Sequence, residues 1–246
     1  MPAVMVLNAA TLLDAWERGA AQAPLRRALT LLSAGWPEAS PEELAGLTMG
    51  QRDGRLLTLR EALFGPRFEA VAACPQCGEK LELAFSAQEI RVPAAELAES
   101  HCVEIDGHQV RFVPPASADL LDVAETAAGS GQRERLLGRC VQSVSRQGGS
   151  VEIAALPETV RQGVMEAMAQ ADPQADVQVA LDCPACLHRW SMAFDILAYL
   201  WGEIEDWAAR LLLDVHTLAS AYGWSERDIL AMSSRRRRFY LDRVGG

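Results

Sequence analysis

The sequence predicts a helix-rich α+β protein, and three observations lead to this prediction. First, apolar residues recur at helical spacing over much of the chain, between capping residues and glycine or proline stops. Second, short stretches that alternate apolar and polar residues flank tight turns, as in β-hairpins. Third, a CxxC motif occurs twice between such stretches, as Cys74-Pro75-Gln76-Cys77 and as Cys183-Pro184-Ala185-Cys186.

Each CxxC motif is typical of a zinc knuckle, in which a tight turn presents two thiolates to one metal ion. Structural Zn²⁺ takes four ligands in a tetrahedron, so two knuckles supply a complete set. These predicted ligands are Cys74, Cys77, Cys183 and Cys186. The alternating stretches at 81–85, 177–181 and 190–194 place each motif at the tip of a hairpin, which predicts a two-hairpin zinc ribbon.

The two motifs are separated by about 105 residues, far more than the usual spacing in a zinc ribbon. We therefore expect an α+β subdomain inserted into the ribbon, with both of its ends emerging from one metal site. The predicted division is an N-terminal helical region (1–66), the ribbon (67–90 and 176–195), the inserted subdomain (91–175) and a C-terminal helical region (196–246).

Other uses of the cysteines fit the sequence less well. A thioredoxin-type redox site needs one CxxC at the start of a helix, whereas both motifs here follow strand-like stretches. Disulfides need an oxidising compartment, and residues 1–7 lack the charged region of a secretory signal, which predicts a cytoplasmic protein. His188 is expected to be a loop residue, and the alternative is that it replaces one metal ligand. Cys102 and Cys140 are expected to be small buried apolar residues.

Capping and stop residues define the helices of the N-terminal region. Ser40 and Thr48 are each followed three residues later by Glu or Gln, which predicts two capping boxes. Four helices are predicted. The first runs from the cap Asn8 to Gly19, the second from Pro24 to Gly35, the third begins at Ser40, and the fourth runs from Thr48 to Gly65.

The insert is predicted to begin with a hairpin at Asp106-Gly107, because apolar and polar residues alternate on both sides of this turn signal. The elements expected after it are a helix capped by Ser117, a loop at 128–131, a helix carrying 136–141, a short strand at 151–153 and a helix from Pro157 to Asp172.

The longest helix is predicted over 196–222, capped by Asp195 and ended by Gly223, and two short helices follow it. Apolar residues outside its main stripe and the arginine run near the C terminus suggest a partner contact. The residues predicted to form this partner contact are Trp201, Trp224, Arg235, Arg236, Arg237, Arg238 and Tyr240. Aromatic side chains would anchor the contact and arginines would attract an acidic partner. The alternative is that the aromatic residues fill the protein's own core and the arginines only solubilise its end.

Composition excludes several classes of function. Half of the 246 residues are hydrophobic, so the chain is expected to fold, and no apolar run is long enough to cross a bilayer. The net charge of −10 argues against binding to phosphate backbones, although a zinc-ribbon nucleic-acid or transcription-associated protein remains the alternative function.

No nucleophile elbow, glycine-rich phosphate loop or metalloprotease motif occurs, so we expect no enzyme and no catalytic residue; a hydrolase that uses His188 is a further alternative.

Four segments occur in a specific order. They are Gly50-Gln51-Arg52-Asp53 leading to Phe64-Gly65, Val110-Arg111-Phe112 leading to 115–121, Ala171-Asp172-Pro173-Gln174-Ala175-Asp176 leading to the second CxxC, and a tail at 221–241. Together they resemble the T4-type baseplate hub assembly proteins of contractile-tailed phages and of phage-derived contractile injection systems. The resemblance covers about residue 47 to the C terminus and leaves the first 40 residues outside it.

The resemblance implies a non-enzymatic accessory protein that helps to build or seat the baseplate hub. Both an assembly chaperone and a permanent structural subunit are consistent with it. Its implied partners are the baseplate hub or other tail proteins, with no nucleic acid and no membrane. Its implied location is the bacterial cytoplasm during assembly, with or without retention in the finished particle. The oligomeric state and the specific partner stay open.

Overall fold

The computed structural model describes residues 4–5, 7–92, 100–125 and 131–244 and confirms a helix-rich α+β protein. The helices are α1 (Ala9–Ala20), α2 (Pro24–Gly35), α3 (Pro41–Ala45), α4 (Met49–Phe64), α5 (Ala87–Ile90), α6 (Ser117–Glu125), α7 (Gln132–Cys140), α8 (Glu158–Ala171), α9 (Ile196–Tyr222), α10 (Glu226–Leu230) and α11 (Ser234–Val244). The strands are β1 (Arg67–Ala73), β2 (Lys80–Ser86), β3 (His101–Ile105), β4 (His108–Phe112), β5 (Val141–Arg146), β6 (Gly149–Ser150), β7 (Gln178–Asp182) and β8 (Arg189–Ala193).

The chain divides into two compact units. We call Met1–Ala39 with Ile196–Gly246 the helical unit, and Ser40–Asp195 the ribbon unit. The division into four parts stays a prediction, because the two units combine these parts and do not test their boundaries. Within the described residues, no helix has the length and hydropathy needed to span a bilayer.

In the helical unit, α1, α2, α10 and α11 contact the long helix α9. The predicted N-cap of α1 is confirmed, since the Asn8 carboxamide oxygen accepts a hydrogen bond from the Thr11 N–H at 2.9 Å. The predicted span of α9 is also confirmed. One buried cluster joins α1, α9 and α10. Its members are Leu13, Ala208, Leu211, Val215, Leu218 and Ile229.

Trp201 of α9 is buried in the same unit, with 4% of its surface exposed. The Arg27 guanidinium lies 4.1 Å from the centroid of its ring. A Cβ placed on Gly19 would lie 2.7 Å from the ring, so the end of α1 accommodates the indole only because this residue is glycine.

The ribbon unit begins with the two capping boxes, and both are confirmed. Ser40 accepts from the Glu43 N–H at 3.1 Å, while the Glu43 carboxylate accepts from the Ser40 N–H at 2.7 Å. Thr48 and Gln51 form the same reciprocal pair at the start of α4. Because these bonds link residues three apart, local sequence was sufficient to place both helix starts.

The start of α4 also contacts distant parts of the ribbon unit. The Met49 N–H donates to the Pro115 carbonyl at 3.2 Å. The Gly50 N–H donates to the Asp172 carboxylate at 2.8 Å. Just after Asp172, the buried Gln174 side chain accepts from the Val92 N–H at 2.7 Å. Three of the four segments that carry the family resemblance therefore meet at, or next to, one helix terminus.

The residues of the predicted insert form a four-stranded antiparallel sheet in the order β3-β4-β5-β6, with α8 against β3 and β4. The predicted hairpin at Asp106-Gly107 joins β3 and β4. The predicted stripe of α8 is buried in the core of this subdomain. The buried residues of that core are Val110, Phe112, Leu137, Cys140, Val141, Val144, Leu156, Val160, Val164 and Met168.

Three details of the insert differ from the prediction. Val141 begins β5 instead of ending a helix, because β5 pairs with β4. Residues 151–153 form no strand, and a 3-10 turn covers Ile153–Ala155. Ser117 lies inside α6, and the Asp119 carboxylate accepts from the Ala116 N–H at 2.9 Å. The predicted loop at 128–131 falls mostly outside the described residues.

Candidate metal centre

The two CxxC motifs lie at the tips of two separate antiparallel hairpins, β1-β2 and β7-β8, as predicted. At the first tip, the Cys74 N–H donates to the Glu79 carbonyl at 2.8 Å. The Gly78 N–H donates back to the Cys74 carbonyl at 2.9 Å. These two bonds close a tight turn that holds Cys74 and Cys77 on the same side.

The second tip repeats this geometry. The Cys183 N–H donates to the His188 carbonyl at 2.9 Å, and the Leu187 N–H donates to the Cys183 carbonyl at the same distance. One position differs between the two turns. Gly78 has φ of 77° and Leu187 has φ of 60°, so the second turn forces leucine into the left-handed region that glycine occupies in the first.

The four cysteine sulfurs form one cluster, although about 105 residues separate Cys77 of the first motif from Cys183 of the second. All four Sγ atoms lie within 4.8 Å of one another. The Cys74 and Cys186 sulfurs are 3.7 Å apart, and the Cys77 and Cys183 sulfurs are 3.6 Å apart. A tetrahedron with metal–sulfur bonds of about 2.3 Å has edges of about 3.8 Å. The sulfur positions therefore fit a tetrahedral metal ion.

The electrostatics of the cluster also favour a bound cation. Burial opposes ionisation of Cys74, but the N–H groups of Cys77 and Gln76 point at its sulfur and lower its pKa to about 7. At Cys77 the Glu79 N–H favours the thiolate, yet the neighbouring Cys186 and Cys183 sulfurs outweigh it and raise the pKa to about 12. Four thiolates at this spacing need a positive charge among them.

Apolar contacts support the ribbon below the sulfurs. Leu81, Leu83 and Trp190 pack against the buried cysteines Cys74 and Cys183. These side chains come from both hairpins, so the two tips share one small core.

Three phenylalanines pack together where the two hairpins end, away from the CxxC turns. Phe68 of β1 stacks on Phe85 of β2, with ring centroids 5.2 Å apart. Phe194, just after β8, meets Phe68 edge-on at 5.6 Å and Phe85 edge-on at 5.4 Å. We call these residues the phenylalanine trio. Each lies at the end of a hairpin strand remote from the CxxC turn, and nothing in the local sequence marks the three as partners.

The remaining candidate ligands lie apart from the cluster. His188 stacks on Trp190 with ring centroids 5.9 Å apart and is not among the clustered ligand atoms of the described residues. Cys140 is buried, as expected, and burial raises the pKa of its thiol to about 11. Cys102 is exposed, in contrast to the expectation, because its side chain lies on the open face of the edge strand β3.

The structure separates the predicted partner-binding residues into two groups. Trp201 and Arg237 are buried in the helical unit, with 4% and 6% of their surfaces exposed. Trp224 and Tyr240 are partly buried against the core of the same unit. This packing is what the alternative interpretation expects of these four residues, and the partner contact itself stays a prediction. Only Arg235, Arg236 and Arg238 are exposed.

Fold and site together define a helix-rich ribbon protein with a closed four-cysteine site. A family model described as T4 bacteriophage base plate protein matches residues 30–199. This match covers more than two thirds of the 246 residues, and the chain belongs to this family. No curated protein and no solved structure matches the chain at a significant level.

Family membership supports a structural role in a phage baseplate and implies contacts with other tail proteins. The match includes both CxxC motifs and the contacts at the start of α4. It ends before the tail at 221–241, so the resemblance noted for that tail lies outside the matched residues.

Proposed function

We propose that this protein is a non-enzymatic assembly factor or structural component of the baseplate hub of a contractile tail or contractile injection system, and that it carries one structural Zn²⁺. The observation that carries the proposal is the four-cysteine cluster within a chain of the baseplate family. The ligands proposed are Cys74, Cys77, Cys183 and Cys186.

Zinc suits this site better than other common metals. Four sulfur ligands in a tetrahedron favour zinc or iron–sulfur chemistry over magnesium or calcium, which prefer oxygen. Four protein ligands also leave no coordination position for water, as in structural zinc sites and unlike catalytic ones. The metal would therefore hold two hairpins together and perform no reaction.

The proposed role of the metal follows from its place in the chain. Each hairpin has only two strands, and an isolated two-stranded hairpin is marginally stable in water. A shared ion cross-links both tips and fixes the two ends of the insert. The ribbon would then act as a rigid base for surfaces that contact the hub or other tail proteins.

Metal analysis of purified variants tests the site. We expect one zinc per chain in the wild type and a loss of zinc in Cys183→Ser. Cys102→Ser is the matched control, because Cys102 is a cysteine outside the cluster, and its zinc content should stay at one. Substitution with cobalt should give the thiolate-to-cobalt charge-transfer absorption of a tetrahedral sulfur site. Zinc retained in Cys183→Ser, or an iron–sulfur spectrum in the wild type, would contradict the assignment.

Deletion of the gene followed by analysis of tail intermediates tests the proposed role. We expect baseplate assembly to stop when the protein is absent, and complementation with the wild-type gene to restore it. Quantitative mass spectrometry then separates the two versions of the proposal. A fixed stoichiometry in finished particles identifies a structural subunit, and presence in intermediates alone identifies an assembly factor. Normal baseplates without the protein would refute both.

A further inference from the structure

The C-terminal helix α11 is held in one orientation by its inner face. The buried Arg237 side chain donates through Nη1 to the Met232 carbonyl at 2.7 Å. Tyr240 contacts Trp224 edge-on at 4.9 Å, and Trp224 stacks on Tyr222 at 4.5 Å. Because these contacts fix the rotation of the helix, they also fix which side chains point outward.

The outer face of α11 combines one aromatic ring with several arginines. Half of the Phe239 surface is exposed. Arg235 and Arg236 precede it by one helical turn, and Arg243 follows it by one turn, with its guanidinium 3.5 Å from the centroid of the phenyl ring. Arg238 is exposed beside them and pairs with Asp242 at 3.7 Å. We call this surface, from Arg235 to Arg243, the Phe239 face.

The charge of this face contrasts with the rest of the chain. Helix α11 holds five arginines and one acidic residue, whereas the whole chain has a net charge of −10. Residues 40–195 contain 13 basic and 23 acidic residues, and the remaining residues contain 10 of each. Helix α11 therefore carries the largest net positive charge among the described helices, with five arginines against one aspartate. Solubility alone does not require such a face to carry a half-exposed phenyl ring at its centre.

We infer that the Phe239 face is the docking surface for an acidic protein of the same baseplate, which presents an apolar pocket rimmed by Asp and Glu carboxylates. The phenyl ring enters the pocket and the surrounding arginines meet the rim. This arrangement has the form of an interface hot spot, with a buried aromatic anchor inside a polar ring. The inference rests on the proposed function, because it takes the partner from among the baseplate proteins.

Charge complementarity selects a protein over nucleic acid as the occupant. A nucleic-acid surface needs a basic area that follows many phosphates, and the acidic residues of the rest of the chain would repel them. A pocket with a few carboxylates needs only the exposed arginines that surround one ring. Their long-range attraction would raise the association rate, and burial of the ring would slow dissociation.

The test measures binding between the full-length zinc-loaded protein and each purified baseplate protein of the same particle, at low and at high salt. Phe239→Ala should raise the dissociation constant about 30-fold, as expected for an aromatic anchor. Arg235→Glu/Arg236→Glu should slow association about ten-fold at low salt and less at high salt. The matched control Arg67→Glu/Arg189→Glu reverses two exposed arginines on the ribbon and should leave binding unchanged.

Fold and zinc content should be unchanged in all three variants, since the Phe239 ring is half exposed and the substituted arginines are exposed. If no baseplate protein binds the wild type, both the proposed function and this inference are wrong. If one binds and the Phe239 face variants bind equally well, only the inference is wrong. Duplex DNA, anionic lipid vesicles and self-association by sedimentation are measured in parallel. Loss of binding in the variants toward any of these, and not toward a baseplate protein, would also overturn it.

Discussion

Gly50 at the start of α4 offers the sharpest test of how the ribbon unit is held together. A Cβ added there would lie 2.1 Å from one carboxylate oxygen of Asp172 and 3.0 Å from the backbone nitrogen of Ala175. Gly50→Ala therefore displaces the Asp172 side chain and presses on the segment that leads into β7. Gly54, one turn later on the same helix, is the matched control, because its nearest neighbour would be the Gln174 side chain at 3.9 Å.

The expected magnitude follows from these contacts. Loss of the hydrogen bond from the Gly50 N–H to the charged Asp172 carboxylate costs about 1.5–3 kcal/mol. The contact with the Ala175 backbone adds about 1 kcal/mol of overpacking. Higher helix propensity returns about 1 kcal/mol at most. Gly50→Ala should thus lower the free energy of unfolding by about 1.5–3 kcal/mol, while Gly54→Ala should raise it by about 0.5–1 kcal/mol.

Urea denaturation of the zinc-loaded protein, followed by circular dichroism, measures both changes. Asp172→Ala and the double variant complete a thermodynamic cycle with Gly50→Ala. Because the clash and the hydrogen bond both involve Asp172, Gly50→Ala should cost about 2 kcal/mol less when that side chain is already absent. Equal tolerance of alanine at positions 50 and 54, or full additivity in the cycle, would refute the reasoning.

Three further outcomes follow from other contacts. Gly19→Ala should lower stability by about 1–2 kcal/mol, because the new methyl would meet the buried Trp201 ring at 2.7 Å; an unchanged melting temperature would contradict this. Leu187→Gly should raise stability by about 0.5–1 kcal/mol with unchanged zinc content, since the leucine has φ of 60° and is 82% exposed; a decrease would contradict the strain. Removal of metal by a chelator at neutral pH should lower the unfolding midpoint while most helical circular dichroism remains, because no described helix contributes a ligand; collapse of the helical signal would contradict this.

Features encoded by neighbouring residues could be predicted from the sequence. The capping boxes at Ser40 and Thr48 join residues three apart, and both hairpin tips are set by short turns around CxxC. The spacing of the four cysteines also predicted their convergence, because tetrahedral zinc needs all four. These predictions needed no knowledge of how distant elements pack.

Features that depend on distant pairing could not be predicted in the same way. Val141 continues a helical stripe in the sequence, but β5 forms because β4 pairs with it. The bond between Gly50 and Asp172 joins residues 122 apart, and neither residue signals its partner. The run from Arg235 to Arg238 does not show which arginine is buried. Spacing alone leaves this open, because Arg236 and Arg237 lie four and three residues before Tyr240, yet only Arg237 is buried.

The phenylalanine trio should also tune the metal site that lies at the other end of the ribbon. Six residues of extended strand separate Phe68 from Cys74, a distance of about 20 Å. If neither the trio nor the folded residues between the hairpins held the two tips together, binding a metal would have to close a chain of about 105 residues between Cys77 and Cys183. With Phe85 and Phe194 in contact, only the two hairpin arms, about 20 residues, remain to be closed. The difference in closure free energy is about 1.5 kcal/mol at most, or about ten-fold in affinity. We therefore expect Phe194→Ala to weaken zinc binding by up to about ten-fold in a chelator competition, although its ring contacts no cysteine. Unchanged affinity in this variant would mean that the folded insert alone holds the two cysteine pairs together.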